Sequence, residues 1–349
     1  SRGGVGPNAG HTVKVGEKTE AAEISVSISD KLLPEQELKY TNWFHSDCLA
    51  TYYGVEVFSE RHWEIIESYV KTAVEHGLNL LLTPVFTPPL DTAPEGERPT
   101  VQLVDVYRKG YKYTFDFTKL KRWIEMADRN KVKYFEISHL FTQWGANHAP
   151  KIMGYFKGKY VRLFGWETKS ESQGYRSFLR QFGEAFKKFV GENNLKDRIF
   201  LHVSDEPGMK DFVSYRRAAR LIQEIFPDYR TFDALSDFEF YKKGLVKTPV
   251  PAVNHIEPFV GKVENLWAYY CCGQNRDYVP NRFFAMPSQR NEVLGFLLYK
   301  YGCEGFLQWG YNFWYSQFSI REINPYTESD AGGAFPSGDA YVVYPAPDG

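Results

Sequence analysis

The segment Arg198-Ile-Phe-Leu-His-Val-Ser-Asp-Glu-Pro207 joins a strand pattern to two acidic residues. Its apolar half predicts a buried strand, and this strand ends in the adjacent carboxylates Asp205 and Glu206. Pro207 stops the strand because it has no backbone N–H to donate. A helical pattern follows from Met209 to Phe226. The acids therefore lie where parallel α/β folds place their chemistry, at the C-terminal end of a strand.

A purely structural interpretation of the two acids is also open. In it, Asp205 caps the following helix and Glu206 forms a surface ion pair. The remaining strand ends distinguish the two interpretations, because an active site would draw further polar residues to the same edge of the sheet.

Seven other segments share the strand pattern, and helical patterns separate several of them. The predicted strands are Tyr40–Leu49, Leu78–Pro84, Val132–Leu140, Arg198–Ser204, Tyr229–Ala234, Ala252–Ile256, Glu264–Cys272 and Gly305–Trp309. Further helices are predicted at Glu60–His76, Phe117–Asn130, Tyr175–Glu192 and Ser288–Tyr301, the first of them between Ser59 as N-cap and Gly77 as C′. Eight strands with interleaved helices predict a mixed α/β fold, a closed (β/α)8 TIM-like barrel over residues 36–349.

Residues 1–35 have a different composition. The first 20 residues are rich in glycine and polar side chains and are expected to be loosely ordered. Residues 24–29 alternate apolar and polar side chains, which predicts one half-buried strand. We interpret residues 1–35 as an N-terminal remnant and linker that precedes the barrel.

Composition restricts the class of partner. The 42 Lys and Arg residues balance 43 Asp and Glu residues, so no basic field indicates nucleic acid. Aromatic residues make up 17% of the chain, which favours stacking platforms for flat apolar faces such as those of sugar rings. No apolar stretch is long enough to span a membrane and no signal peptide is visible, so we expect a soluble protein, with its compartment and oligomeric state left open.

No motif indicates a cofactor or a metal. The glycine-rich start follows no strand and lacks a phosphate-loop lysine, and neither HExxH nor GxSxG occurs. The histidines are interpreted as hydrogen-bonded pocket residues. Four free cysteines are expected, and Cys271 and Cys272 should point to opposite faces of one strand. The four are Cys48, Cys271, Cys272 and Cys303.

The predicted strand ends carry an unusual set of polar and aromatic residues. A full ring of His, Trp, Tyr, Asp and Asn side chains is hard to explain as core packing, so it predicts an enzyme-like pocket. Asp205 and Glu206 are the candidate catalytic residues. The candidate substrate-binding residues from the other strand ends are His45, Asp47, Trp144, His148, Asp233, Tyr269, Trp309, Tyr311, Asn312 and Trp314, and His139, His255, Glu257 and Tyr270 lie beside them.

Seven segments together resemble a known family. They are Asn42–Asp47, Thr87–Thr92, His139–Ala146, Phe164–Trp166, Ser204–Pro207, Asp233–Asp237 and Gly305–Phe313. With them the chain resembles the catalytic barrel of glycoside hydrolase family 123 and the related bacterial domain of unknown function 4091. The resemblance adds Trp166 to the substrate-binding candidates. It also implies an N-terminal β-sandwich, of which Ile24–Ile28 would be the last strand, and a continuation beyond Gly349.

The resemblance implies substrate-assisted, retaining hydrolysis of a β-linked N-acetylhexosamine, β-N-acetylgalactosamine above all. The 2-acetamido oxygen of the sugar would attack the anomeric carbon while Glu206 protonates the leaving oxygen. Asp205 would orient the acetamido group. Because the predicted seventh strand ends in Tyr269-Tyr-Cys-Cys272 without a carboxylate, the residues themselves also fit a mechanism with no enzymic nucleophile.

Two alternatives remain open at this point. A barrel glycosidase could use two separated carboxylates, with Glu206 as acid and Asp233 or Glu257 as base or nucleophile. A non-catalytic carbohydrate-binding barrel would use the same aromatic residues without turnover. Under the enzymatic interpretations the partner is a glycan or glycoconjugate substrate.

Overall fold

A computed structural model describes residues 8–15, 18–25, 34–94, 96–276 and 279–349. The chain divides into two compact units, residues 1–37 and residues 38–349. In the first unit, strands β1 (Asn8–Val15) and β2 (Lys18–Ser25) pair antiparallel, with Asn8 opposite Ser25. The expected loose order is therefore wrong for β1, since a short alternating segment follows the glycine-rich start. Of the predicted strand at 24–29, only Ile24 and Ser25 lie within the described residues.

The second unit contains strands and helices in alternation. Its strands are β3 (Lys39–Asn42), β4 (Leu80–Thr83), β5 (Asp105–Lys109), β6 (Lys112–Asp116), β7 (Tyr134–Ile137), β8 (Ile152–Phe156), β9 (Lys159–Phe164), β10 (Ile199–Leu201), β11 (Arg230–Ala234), β12 (Thr248–Val250), β13 (Trp267–Tyr269) and β14 (Gly305–Gln308). Its α-helices are α1 (Ser46–Tyr53), α2 (Glu60–Glu75), α3 (Thr118–Arg129), α4 (Gln173–Glu192), α5 (Phe212–Ile225), α6 (Phe238–Lys242) and α7 (Gln289–Lys300).

Eight of these strands form two parallel sheets. One has the order β12-β11-β10-β7-β4 and the other the order β13-β14-β3. Every neighbouring pair in both sheets is parallel. A parallel bridge joins Ala252, just after β12, to Tyr269 of β13, and the Asn79 N–H, just before β4, donates to the Tyr40 carbonyl of β3. The fold is thus mixed α/β with parallel sheets, as the strand–helix alternation predicts.

The strands are apolar because both of their faces are buried. In β4, Leu80 and Leu82 belong to one hydrophobic cluster, whereas Leu81 belongs to the larger cluster beneath the helices. This follows from the two-residue period of a strand, which sends successive side chains to opposite faces. Strand β10 repeats the pattern with Phe200 in the first cluster and its two neighbours in the second.

Helix α2 lies between the capping residues that the sequence indicates, whereas the helix predicted from Met209 begins as a 3₁₀ turn and becomes α5 at Phe212. The Ser59 hydroxyl accepts from the His62 N–H at the start of α2, and Gly77 follows its C-cap with φ of 93°. In α4, apolar residues three or four apart place Phe178, Phe182 and Phe186 on one buried face.

A third sheet of this unit covers this aromatic face of α4. Hairpins β5–β6 and β8–β9 pair through β5 and β8 into a four-stranded sheet of order β6-β5-β8-β9. Phe115 and Phe164 of this sheet contact Phe178 with ring centroids 5.7 and 4.9 Å apart. The sequence does not predict either hairpin, because the alternating apolar and polar residues of each strand form only short stretches between the clearer helix and parallel-strand patterns.

Two predicted strands are placed wrongly. Beyond Asn42 the segment predicted to end at Leu49 turns into α1, which buries Ser46–Ala50 and ends at Gly54 in the left-handed region. The sixth strand is at Thr248–Val250 rather than Ala252–Ile256, because Pro249 and Pro251 disguise its pattern. None of the described helices is long and apolar enough to cross a membrane.

The contact between α4 and α5 leads to a stability prediction. A Cβ on Gly183 would lie 2.1 Å from Ile225 Cγ2, so Gly183→Ala should destabilise the fold by about 1–3 kcal/mol through overpacking. Gly191→Ala in the same helix meets open space and should be neutral or stabilising by up to about 1 kcal/mol. Thermal and denaturant unfolding followed by circular dichroism would measure both. Equal stabilities of the two variants would contradict this packing.

Candidate active site

A cavity of about 250 Å³ opens where the parallel strands end. Its walls come from the last residues of β11, β13 and β14, from the segments that follow β3, β4, β7, β10, β13 and β14, and from the chain near residues 318 and 335. The lining residues are Trp43, Leu90, Asp91, Gln143, Trp144, Asp205, Glu206, Ala234, Tyr269, Cys271, Cys272, Leu307, Trp309, Gln317, Phe318 and Phe335. An apolar wall with a few convergent carboxyl and hydroxyl groups is typical of a ligand site.

Asp205 is buried at the inner end of this cavity. Its Oδ2 accepts from Gln143 Nε2 at 2.6 Å, whereas its Oδ1 is buried without a hydrogen-bond partner in the described structure. Burial, and then the neighbouring Glu206 carboxylate, raise the pKa of Asp205 well above its usual range. The capping interpretation of Asp205 is wrong, since Asp211 is the N-cap residue of α5, and Gly208 is that of the 3₁₀ turn before it. A buried oxygen with no partner is a place for a substrate donor.

Glu206 is half-buried and has a different partner. The Tyr269 hydroxyl donates to Glu206 Oε1 at 2.7 Å, and Cys271 Sγ lies 4.0 Å from the same oxygen. Burial raises the pKa of Tyr269 well above its usual range, so this phenol remains a donor. The Glu206 backbone N–H donates to the Ala234 carbonyl at 2.9 Å. The two adjacent acids thus have separate environments within one cavity.

Backbone strain is concentrated around the cavity. Asp91, Trp144, Glu206 and Phe318 all line it and have φ of 39°, 53°, 44° and 59°. Non-glycine residues rarely adopt positive φ, and each such residue costs about 1–3 kcal/mol. Strain retained at four lining positions is the pattern expected of a functional site rather than of a packing defect.

Asp91 is a carboxyl group that the sequence interpretation did not select. Its N–H donates to Gln143 Oε1, and Gln143 in turn holds Asp205, so the proline-rich loop after β4 helps to orient that acid. The Asp91 Oδ2 accepts from the Phe318 N–H at 2.9 Å. Burial raises the pKa of Asp91 to about 6. The clustered prolines in the sequence indicate a rigid loop here, but they do not show which of its side chains enters the cavity.

The two adjacent cysteines both line the cavity. The prediction that they point to opposite faces of a strand is wrong, because β13 ends at Tyr269 and the chain turns at Cys272 and Gly273. All four cysteines are free, as the sequence interpretation expects. Trp43, Phe318 and Phe335 are further lining residues that the sequence interpretation omits.

His45 and Asp47 lie in a buried ionic cluster instead of the cavity wall. Arg98 donates to both Asp47 oxygens, at 2.8 and 2.9 Å, and its Nη2 lies 3.2 Å from His45 Nδ1. Burial alone would raise the pKa of Asp47, but the Arg98 guanidinium holds it below its usual range. Burial and Arg98 lower the pKa of His45 to about 4, so its ring is neutral.

The other predicted binding residues separate into two groups. Tyr269, Trp309 and Trp144 line the cavity. The rest lie outside the cavity wall, and most of them are engaged within the unit: Asn312 holds the His45 backbone, the Tyr311 hydroxyl donates to the Tyr69 carbonyl, Trp314 packs on Tyr52 and Tyr69, Tyr270 packs on Phe306, His148 lies beside Trp166, and Asp233 is bound by His202 and Tyr215. His255 and Glu257 are exposed and do not line the cavity.

A cluster of His139, His202 and Asp233 has the residue types of a metal site. The two imidazole rings stack with centroids 3.9 Å apart and planes 15° apart, so their in-plane lone pairs run parallel. Both His202 nitrogens are also engaged, Nδ1 with Asp233 at 2.9 Å and Nε2 with Glu136 at 2.5 Å. Because ligand lone pairs must converge on one ion, this geometry does not fit metal coordination.

The family of the chain follows from its sequence as a whole. The family model of the glycoside hydrolase 123 catalytic domain matches residues 43–349. The chain belongs to glycoside hydrolase family 123. The match includes every residue that lines the cavity.

Solved structures add a likeness in fold. A family 123 glycoside hydrolase from Clostridium perfringens, studied for its hydrolysis of glycolipid glycans, aligns with a TM-score of 0.69 and 16% identity over 95% of this family 123 chain. The chain covers 58% of that protein's length. Two mutants of a family 5 mannosidase from Rhizomucor miehei align over 88% of the chain with TM-scores of 0.39 and 0.40, 11% and 13% identity, and 87% and 88% of their own length. No curated protein matches the chain.

The buried Asp47–Arg98 pair leads to a prediction that separates structure from binding. Asp47→Asn leaves the Arg98 guanidinium buried without its counter-ion and should destabilise the fold by about 3–5 kcal/mol. Glu97→Gln breaks ion pairs to Lys151 and Arg162 that are partly exposed, and should cost at most about 1 kcal/mol. Denaturant unfolding would measure both. An Asp47→Asn protein of normal stability that lacks turnover would instead show that Asp47 acts on substrate.

Proposed function

We propose that the chain is a retaining, substrate-assisted glycoside hydrolase that cleaves β-linked N-acetylhexosamine, with β-N-acetylgalactosamine as the preferred sugar. Membership of family 123 supports a glycosidase. The observation that carries the finer proposal is the pair of adjacent acids in one cavity, one half-buried beside a phenol and the other buried with a free oxygen.

We assign different roles to the two acids because their surroundings differ. Glu206 is the more exposed of the two acids, so we assign it to the leaving group as the general acid. The acetamido oxygen of the sugar attacks the anomeric carbon, the glycosidic bond breaks, and the Glu206 proton goes to the leaving oxygen. Glu206 then takes a proton from the water that opens the oxazoline, which restores the sugar with its original configuration.

Asp205 acts on the acetamido group. Its Oδ1 has no protein partner and would accept the acetamido N–H, while Gln143 fixes Oδ2. In its ionised form Asp205 stabilises the positive charge that develops on the oxazoline, and that developing charge favours ionisation against the burial that raises the pKa of Asp205. Trp43, Trp309 and the other rings of the cavity offer flat apolar faces to the sugar and its methyl group.

The two-carboxylate alternative has less support. Asp233 is fully buried and all of its oxygens are bound, and Glu257 is exposed on a short 3₁₀ turn outside the cavity. Among the described residues, Asp91 is the only other carboxyl group that lines the cavity. Asp91 is therefore the residue that a conventional base or nucleophile mechanism would have to use. A purely binding role would leave the strained backbone of Glu206 without a purpose.

We also propose that the two parallel sheets close into one (β/α)8 barrel over residues 36–349, with residues 1–35 as a separate part. The bridge between Ala252 and Tyr269 and the hydrogen bond from Asn79 to Tyr40 support closure at both seams. Closure explains why Trp43, Phe200 and Trp267 share an inner cluster, since the interior of such a barrel is filled by side chains.

The substrate is testable with aryl glycosides that differ only at C2. Aryl β-N-acetylgalactosaminide should be cleaved far faster than aryl β-galactoside, because the acetamido group supplies the nucleophile. A thiazoline analogue of the oxazoline should inhibit as a mimic of the intermediate. The measurements are kcat/KM for both substrates and the inhibition constant. Similar turnover of the two glycosides would exclude the assisted mechanism, and Asp91→Asn would then be the variant to test for a lost nucleophile.

Because the two acids have separate roles, the effect of replacing Glu206 should depend on the leaving group, whereas the effect of replacing Asp205 should not. A general acid contributes about 10²–10⁴-fold, mainly when the leaving group is poor, so Glu206→Gln should cripple hydrolysis of an alkyl glycoside and largely spare a nitrophenyl glycoside. Asp205→Asn should slow both substrates by similar factors, because acetamido attack is required for either. The readout is kcat/KM of both variants on both substrates. The reverse pattern would exchange the two assignments.

A further inference from the structure

A buried charge network lies beneath the catalytic pair. His202 follows β10 directly, and neither its side chain nor those of Glu136 and Asp233 has any exposed surface. Its Nε2 lies 2.5 Å from Glu136 Oε1, and its Nδ1 lies 2.9 Å from Asp233 Oδ1. A ring with both nitrogens protonated donates to both carboxylates at once, so this geometry favours an imidazolium.

The surroundings of His202 favour that charge. Its ring lies between His139 and Phe232, with centroids 3.9 and 4.2 Å away, and cations are attracted to aromatic faces. Burial opposes the charge, but hydrogen bonds to Asp233 and Glu136 raise the pKa of His202 to about 9. The same burial, and then the charge of His202, lower the pKa of His139 well below its usual range, so the neighbouring ring is neutral.

Asp233 connects His202 to the backbone that carries the catalytic acids. The oxygen that binds His202 also accepts the Val203 N–H at 3.0 Å. The other oxygen accepts the Tyr215 hydroxyl at 2.5 Å and the Ser204 N–H at 3.5 Å. These are the last two N–H groups before Asp205, so the position of Asp233 determines where the chain delivers that carboxylate.

We propose that His202 is a positioning residue: clamped between Glu136 and Asp233, it fixes the Val203–Ser204 backbone and so holds the Asp205 carboxylate ready for the substrate. The proposal rests on the proposed role of Asp205 and adds the residue that holds it. The imidazolium also balances two buried negative charges next to a third carboxylate, which would otherwise repel one another. Burial and Glu206 have the largest effects on the pKa of Asp205. His202 also lowers that pKa, and Asp233 raises it.

The first experiment replaces the ring. His202→Gln should lower kcat/KM by about 10²-fold, the size expected for a small displacement of a reacting group, and mostly through kcat. The loss should be equal for nitrophenyl and alkyl glycosides, as for Asp205→Asn and unlike Glu206→Gln. His139→Phe is the matched control, because it keeps the ring stack and removes no hydrogen bond, and it should stay within a few fold of wild type. A His202→Gln loss confined to the alkyl glycoside would overturn the proposal.

A double-mutant cycle tests whether His202 acts through Asp205. In the Asp205→Asn background, His202→Gln should cost at most about threefold more, because the group that it positions is already gone. Full multiplication of the two single effects would refute the link. If His202→Gln does not fold, Tyr215→Phe loosens the same carboxylate more gently and should give a smaller loss, about 3–10-fold, that is again independent of the leaving group.

The charge state can be measured on the unmodified protein. Nitrogen NMR of ¹⁵N-histidine-labelled enzyme should show both His202 ring nitrogens protonated from pH 6 to pH 8. The titratable groups that face the ring are Glu136, Asp233, His139 and Asp205, and none of them supplies a second cation. A neutral His202 in this range would refute the clamp. This readout needs no substrate, whereas the comparison of C2-substituted glycosides tests the proposed function, so failures of the two are distinguishable.

Discussion

The site depends on how the chain satisfies its backbone after a very short strand. Strand β10 has only three residues, and the N–H groups that follow it are buried, where an unpaired donor is costly. A side chain, Asp233, takes the place of a neighbouring strand and accepts the N–H groups of Val203 and Ser204. Asp205 and Glu206, the next two residues, therefore lie outside the hydrogen-bonding pattern of the sheet. Asp205 and Glu206 can therefore enter the cavity in conformations that a strand would not allow.

Distant segments hold the strained cavity together. Gln143, from the loop after β7, joins the Asp91 backbone to the Asp205 carboxylate, and the Phe318 N–H donates to Asp91. The Trp144 N–H donates to the Asp205 carbonyl at 2.9 Å. Each contact fixes a residue that has positive φ or borders one that does. Strain of this kind persists only where the surroundings determine the conformation several times over.

The two acids are alike in sequence and differ in environment. Asp205 is shielded from solvent and faces Gln143, whereas Glu206 is half-buried and faces a phenol and a thiol. Below them, His202 lies within hydrogen-bond distance of both the Glu136 and Asp233 carboxylates, an arrangement that favours a positively charged ring. The different roles that we propose for the two adjacent acids need such an asymmetry, since two carboxyl groups in one environment would titrate together.

The sequence predicted the elements that depend on local chemistry. Apolar runs located most of the parallel strands, including β10, and Ser59 and Gly77 marked the ends of α2. Strand β10 ends at Leu201, so Pro207 does not decide where it stops. Local patterns predicted the wrong secondary structure where contacts with residues distant in the sequence determine it. The segment after Asn42 is apolar enough for a strand, yet it becomes α1, and prolines conceal β12.

By itself, the sequence determined the order of most parallel strands and of the longer helices, and the place of Asp205 and Glu206 just beyond a strand, because these follow from the hydrophobic period over a few residues. The tertiary structure alone decided which polar residues face the cavity. Arg98 binds Asp47 from 51 positions away, and Glu136 binds His202 from 66 positions away. A side chain's partner sets its charge and its orientation, and no local pattern specifies a partner at that separation.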